Sequence, residues 1–179
     1  MNFQLSLLTF QVAGGGAPPA RHRGTAMTTS LIFYGLLGVA STVIAFGSNR
    51  HLFVGDASRR VSALEELYYF VGLASLCLGW YFNIRYVHAY HHASYANYTK
   101  MLFSNWAADS AAQDYTIVNV VLLPLWTIVD GRRRGLRIPW IFFVMSLFTS
   151  LAFSMAMYLA FVERQVRYER AESAESRTA

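Results

Sequence analysis

Apolar residues gather into four runs, each closed by polar or turn-forming residues, and this spacing predicts four helices. The first, residues 31–47, is broken only by Ser41 and Thr42. It carries Gly35, Gly38 and Ser41 at helical spacing, a face on which another helix can pack closely. The second, residues 66–84, follows Ser62-Ala63-Leu64-Glu65, a capping-box pattern in which Glu65 and Glu66 also suit the positive end of the helix dipole. The third, residues 114–129, follows a similar Ser110 to Gln113 pattern and contains Asn119 and Pro124; the proline predicts a kink. The fourth, residues 138–162, is the longest and least polar, with Pro139 in its first turn.

Between the second and third runs lies one long connection, residues 85–112. Its aromatic residues, among them Tyr86, Tyr90, Tyr98 and Trp106, predict a segment lying in the plane of an interface. Residues 1–29 read as a flexible arm. Arg21 and Arg23 follow its weakly apolar stretch, the reverse of the order in a secretory signal, and Met27 offers an alternative start. Residues 166–179 read as a charged, solvated tail with helical bias. About 20 residues cross a bilayer as a helix. The expected fold is therefore all-α: an integral membrane bundle of four transmembrane helices, with an interfacial segment between helices 2 and 3, in a single domain over residues 30–165.

Composition agrees and excludes other classes. Of 179 residues, 55% are hydrophobic and 14% charged, against roughly 25% charged in an ordinary soluble domain. That balance rules out a typical soluble enzyme and an intrinsically disordered chain. The net charge of +5 comes mostly from arginines beside the apolar runs, where they orient helices rather than bind nucleic acid. With Cys77 the single cysteine, an intramolecular disulfide, a CxxC pair and a multi-thiolate metal site are excluded.

Orientation is not fixed by the charge count. With four crossings, one side holds Arg50, Arg59, Arg60, Arg132, Arg133, Arg134 and Arg137, and the other holds Arg85, Lys100, Arg164, Arg167, Arg170 and Arg177, or two more if Arg21 and Arg23 are counted. The Asp130 to Arg137 turn is the densest cluster on the shortest loop, and on that ground it is assigned to the cytoplasmic side.

Three groups could carry chemistry. His88, His91 and His92, at i, i+3 and i+4, would share a helix face and could ligate zinc, copper or haem. The preferred reading keeps them at headgroup level, bonded to water, lipid phosphate or a partner, and no cofactor is expected. Asp109, Asp114 and Asn119 stand near the start of the third run and could form a polar membrane site. For Asp114, pairing with Arg85 or with the helix dipole is the plainer role. Asp130, Arg132, Arg133, Arg134 and Arg137 form either a topology-setting turn or a surface for anionic lipid. No phosphate-binding glycine loop, serine elbow or nucleic-acid motif occurs.

The order Gly79-Trp80-Tyr81-Phe82, then Phe103-Ser104-Asn105, then Asp130-Gly131-Arg132-Arg133 and Gly135-Leu136, then Trp140, Tyr158-Leu159 and Glu163-Arg164, resembles a bacterial family of small multi-spanning membrane proteins known only as a domain of unknown function. The resemblance covers about residues 77–167. Asp130 stands where that family usually has Glu, and the first run and the histidines fall outside its pattern. It implies three helices and no established activity. The leading functional reading is a non-enzymatic accessory, scaffold or assembly subunit of a membrane complex, with the bilayer and other subunits or further copies of itself as partners. The alternatives are a metal- or haem-binding redox protein and a small transporter or lipid-binding protein.

Overall fold

The structure, a computed structural model, describes residues 25–54, 61–90 and 95–178. Most of the amino-terminal arm, Arg59, Arg60, His91 and His92 lie outside the described residues. Within them the protein is helical, with no strand. The helices are α1 (Thr25–Ser48), α2 (Ala63–Ala89), α3 (Tyr95–Leu102), α4 (Trp106–Arg133), α5 (Ile141–Phe148) and α6 (Leu151–Thr178). Two of them, α2 and α4, are long and apolar enough to cross a membrane, and α1 contributes a shorter apolar stretch, Ile32–Ser48.

Ser62 caps α2 as the sequence predicts, its Oγ accepting from the Glu65 amide at 3.1 Å. The Ser110 pattern does not start a helix. Asn105 is the cap there, accepting from the Ala107 and Ala108 amides, so α4 begins well before residue 114. Pro124 is accommodated by a π-turn over Val118–Leu122, where the Leu123 amide reaches the Val118 carbonyl. The wider turn makes room for a ring that would otherwise press on the preceding carbonyl.

The largest departure from expectation is in the fourth run, which is not one helix. Phe142 packs its ring against Tyr158 and Phe161, and Ser154 donates to the Phe142 carbonyl. A continuous helix would hold Phe142 and Tyr158 about 24 Å apart. Instead α5 and α6 form a hairpin that reverses at Thr149 and Ser150. Polar side chains make the break: the Thr149 hydroxyl bonds back to the Met145 carbonyl at 2.6 Å, ending α5, and Ser150 Oγ accepts from the Phe153 amide at 3.0 Å, starting α6.

The hairpin is the centre of the bundle. α1 runs antiparallel to α5, with Gly38 so close to the tip that a Cβ there would lie 2.9 Å from Thr149 Cγ2. Gly35 sits under Trp80, and Ser41 is buried, so the small face of α1 is used for packing. α2 runs antiparallel to α6, from Glu65 beside Arg164, through Gly72 against Ala156, to Ser75 bonded to Ser150 at 2.8 Å. α4 returns along α5 and brings Gly131 against Pro139. The buried core, including Ala45, Ile141, Phe142, Met145, Met157 and Phe161, consequently fills the half of the molecule between the hairpin tip and the charged turns. Beyond the tip, α1, α2 and α4 continue with large apolar side chains exposed, Phe33, Phe82 and Val118 among them.

A Cβ on Gly131 would lie 2.6 Å from Pro139 Cβ, whereas one on Gly47 would meet nothing within 4 Å. Gly131→Ala is expected to lower stability by about 1–3 kcal/mol through overpacking, and Gly47→Ala to raise it by about 0.5–1 kcal/mol through helix propensity. Thermal unfolding of the two variants in detergent checks the opposite signs.

Candidate functional site at the charged end of the bundle

Where α1 ends, α2 begins, α4 ends and α6 emerges, polar side chains replace the apolar core. Glu65 has no exposed surface, and its carboxylate accepts from Arg164 Nε at 2.7 Å and from Arg167 Nη2. Arg164 is itself buried, donates to the Leu52 carbonyl and lies over the Phe53 ring at 4.3 Å. Two guanidinium groups shared by one buried carboxylate keep its charge compensated where water is absent. Ser62 donates to Glu163 at 3.1 Å, adding a second link between the start of α2 and α6. Glu65 is thus more than a capping residue: it joins α2 to α6, while Arg164 ties the short turn Arg50–Phe53 to both.

A second tie is made by Asn49. Its Oδ1 accepts from the Arg137 amide at 2.8 Å and its Nδ2 donates to the Arg137 carbonyl at 3.0 Å, so one buried amide grips both backbone groups of one residue. That turn starts as a Schellman motif. Leu136 N–H bonds the Gly131 carbonyl, Gly135 N–H bonds the Arg132 carbonyl, and Gly135 has φ +71°. Ile138 follows with φ 53°, a left-handed conformation that costs a β-branched residue of the order of 1–3 kcal/mol. The Asn49 grip and the docking of Pro139 on Gly131 flank it and hold it there.

Asp130 serves the same end. It accepts from Arg134 Nε at 2.8 Å and from the Tyr158 hydroxyl at 2.6 Å, joining α4 to the hairpin. The hydrogen bond from Arg134 to this carboxylate raises the guanidinium pKa above its usual range. Of the turn arginines, Arg132, Arg133 and Arg137 are exposed. His51 lies close enough to Arg137 for its charge to act, and burial first, then Arg137, lowers the imidazole pKa.

The other groups named from sequence do not converge. His88 is exposed near the end of α2, and His91 and His92 lie outside the described residues. Asp114 is exposed and accepts from Gln113, while Arg85 donates to Tyr81 rather than pairing with it. Asn119 is buried in the π-turn and donates to the Tyr115 hydroxyl at 3.3 Å. About 15 Å of helix separates it from Asp109. Among the described residues no group of three His, Cys, Asp or Glu side chains could hold a metal ion. Sequence reasoning missed Asn49, Glu65, Tyr158, Arg164 and Arg167; the available signal was a pair of arginines one turn apart as an apolar run ends.

The profile of the family described as "Protein of unknown function DUF2834" matches residues 67–164, from the second turn of α2 to Arg164. The chain belongs to the DUF2834 family. No curated protein and no solved structure matches. The matched segment holds α5, the first half of α6 and the whole Asp130–Arg134–Tyr158 tie, and it ends on Arg164, while α1, Asn49 and Glu65 precede it and Arg167 follows it.

Two outcomes follow from this geometry. Glu65→Gln leaves two guanidinium groups without a carboxylate and is expected to cost about 3–5 kcal/mol. Glu66→Gln, an exposed neighbour, should stay within about 0.5 kcal/mol. Unfolding midpoints of the two variants test the contrast. For His51, a lowered native pKa means that folding favours the neutral ring. This contribution is complete above the ordinary 6.5, shrinks as the pH falls through 6.5 toward the native value, and is gone below it. NMR titration should place His51 below 6.5, and Arg137→Gln should move it upward.

Proposed function

We propose that the protein is a multi-pass component of a bacterial cytoplasmic membrane, with three crossing helices and one re-entrant hairpin, and that it serves as a non-enzymatic accessory, scaffold or assembly subunit of a larger membrane complex. The observation carrying this reading is the unpartnered surface of the long helices. In the 27 residues of α2, Glu65 and Gly72 are the buried ones. Beyond the hairpin tip α1, α2 and α4 carry large apolar side chains that stay exposed, Phe33, Phe82 and Ile117 among them, and this is the surface that a partner helix or a second copy would cover.

The hairpin also supports an orientation. α5 has 8 residues, about 12 Å of helix against the roughly 30 Å of a hydrocarbon core, and cannot cross. α6 therefore returns to the side from which α5 came. Among the described residues this gathers every basic side chain from Arg50 to Arg177 on one side, nine in all, except Arg85 and Lys100. An asymmetry of nine to two favours the cytoplasm for the arginine face.

Thiol labelling tests the topology. In a Cys77→Ser background, Arg133→Cys and Arg177→Cys should both be protected from an impermeant reagent in right-side-out vesicles. Labelling of one alone would restore four crossings. Purification in mild detergent tests the role: co-elution with a discrete membrane partner, or a defined oligomer, is expected. A lone monomer would overturn it.

The hairpin tip favours a second reading, a small transporter, because Ser75 and Ser150 place bonded hydroxyls where two helix ends meet within the bundle. In the same background, labelling of Ser150→Cys from the far side would support that reading, and protection would remove it.

A further inference from the structure

The arginines at the charged end fall into two sets. Arg134, Arg164 and Arg167 are committed to Asp130 and Glu65. Arg50, Arg132, Arg133 and Arg137 are exposed, and no ion pair within the described residues engages them. Three of these stand in the single tight turn that closes α4. The fourth comes from a distant part of the sequence, because the grip of Asn49 on the Arg137 backbone brings the start of the Arg50–Phe53 turn beside it. The effect of Arg137 on His51 reports the same proximity. Trp140, three residues after Arg137, is about half exposed, the placement of an indole at a headgroup boundary. The acidic groups nearby are mostly engaged elsewhere: Asp130 with Arg134 and Tyr158, Glu163 with Ser62, and Glu169 with Gln165.

We infer that Arg50, Arg132, Arg133 and Arg137 form a binding surface for the phosphates of anionic glycerophospholipids, such as phosphatidylglycerol, in the leaflet on the arginine side. This inference rests on the membrane reading above. Guanidinium groups bind phosphate oxygens bidentately, and here three stand just before the half-exposed Trp140 with Arg50 brought beside them by Asn49. Each contributes about a fivefold gain in affinity for an anionic surface.

Native mass spectrometry of the full chain in detergent, titrated with phosphatidylglycerol or with phosphatidylcholine, tests the inference. Phosphatidylglycerol should bind in preference, and Arg132→Gln/Arg133→Gln should weaken it by about an order of magnitude or more, through the loss of charged hydrogen bonds to phosphate. Arg170→Gln/Arg177→Gln, which removes two exposed charges from the projecting end of α6, should change it less than twofold. Arg132→Lys/Arg133→Lys should fall between wild type and the glutamine pair, which separates lost contacts from lost fold. Equal loss in the turn and tail pairs, or equal binding of the two lipids, would overturn the surface. Displacement of the lipid by equimolar inorganic phosphate would assign the site to a free anion instead. Because the titration is done in detergent, it is independent of orientation. Wrong-side labelling in vesicles would sink the topology alone, and loss of lipid preference would sink the surface alone.

Discussion

Backbone amides and carbonyls at the reversal of the α5–α6 hairpin need partners, and the way they find them organises the molecule. Thr149 and Ser150 satisfy part of the demand with their own hydroxyls. The neighbouring helices supply the rest of the cover, Gly38 of α1 closing from one side and Ser75 of α2 from the other. Irregular backbone away from water is tolerated only when its polar groups are enclosed and partnered, and in a bilayer the demand would be stricter still. The glycine on α1 and the serine on α2 are therefore consequences of the turn as much as packing choices in their own right.

The charged end solves the complementary problem of holding four chain segments together where apolar contact gives out. Glu65, Asn49 and Asp130 each join two elements distant in sequence, and each is buried or partly so. Such contacts specify geometry more than they add stability, since a buried ion pair roughly offsets its own desolvation. What they fix is register: α2 against α6, α1 against the Arg137 turn, and α4 against the hairpin.

Much of the helical content could be read from the sequence because it rests on periodicity and capping, both local. Ser62 announces α2, and the small face of α1 announces close packing. The fourth run misleads because mean apolarity hides Ser146, Thr149, Ser150 and Ser154 within nine residues; the first three bond backbone close by in sequence, and Ser154 bonds across the hairpin, so none lowers the apparent suitability of the run for a bilayer. Glu65 misleads in a different way. A capping pattern explains it locally, so nothing in its neighbourhood asks for the arginines about a hundred positions later. The turn arginines are visible as a cluster, but that Asp130 takes Arg134 rather than Arg132 or Arg133 as its hydrogen-bond partner does not follow from spacing alone.

α6 begins at the hairpin tip and ends at Thr178, with Arg164 at its midpoint. One stiff rod thus has an inner arm packed on α2 and an outer arm of equal length projecting past the charged turns. The pivot is the Glu65 carboxylate. A sideways load on the outer arm is borne there and spread along the α2–α6 packing, from Gly72 on Ala156 to the Ser75–Ser150 hydrogen bond at the tip. The helix is a lever, balanced about one buried charge.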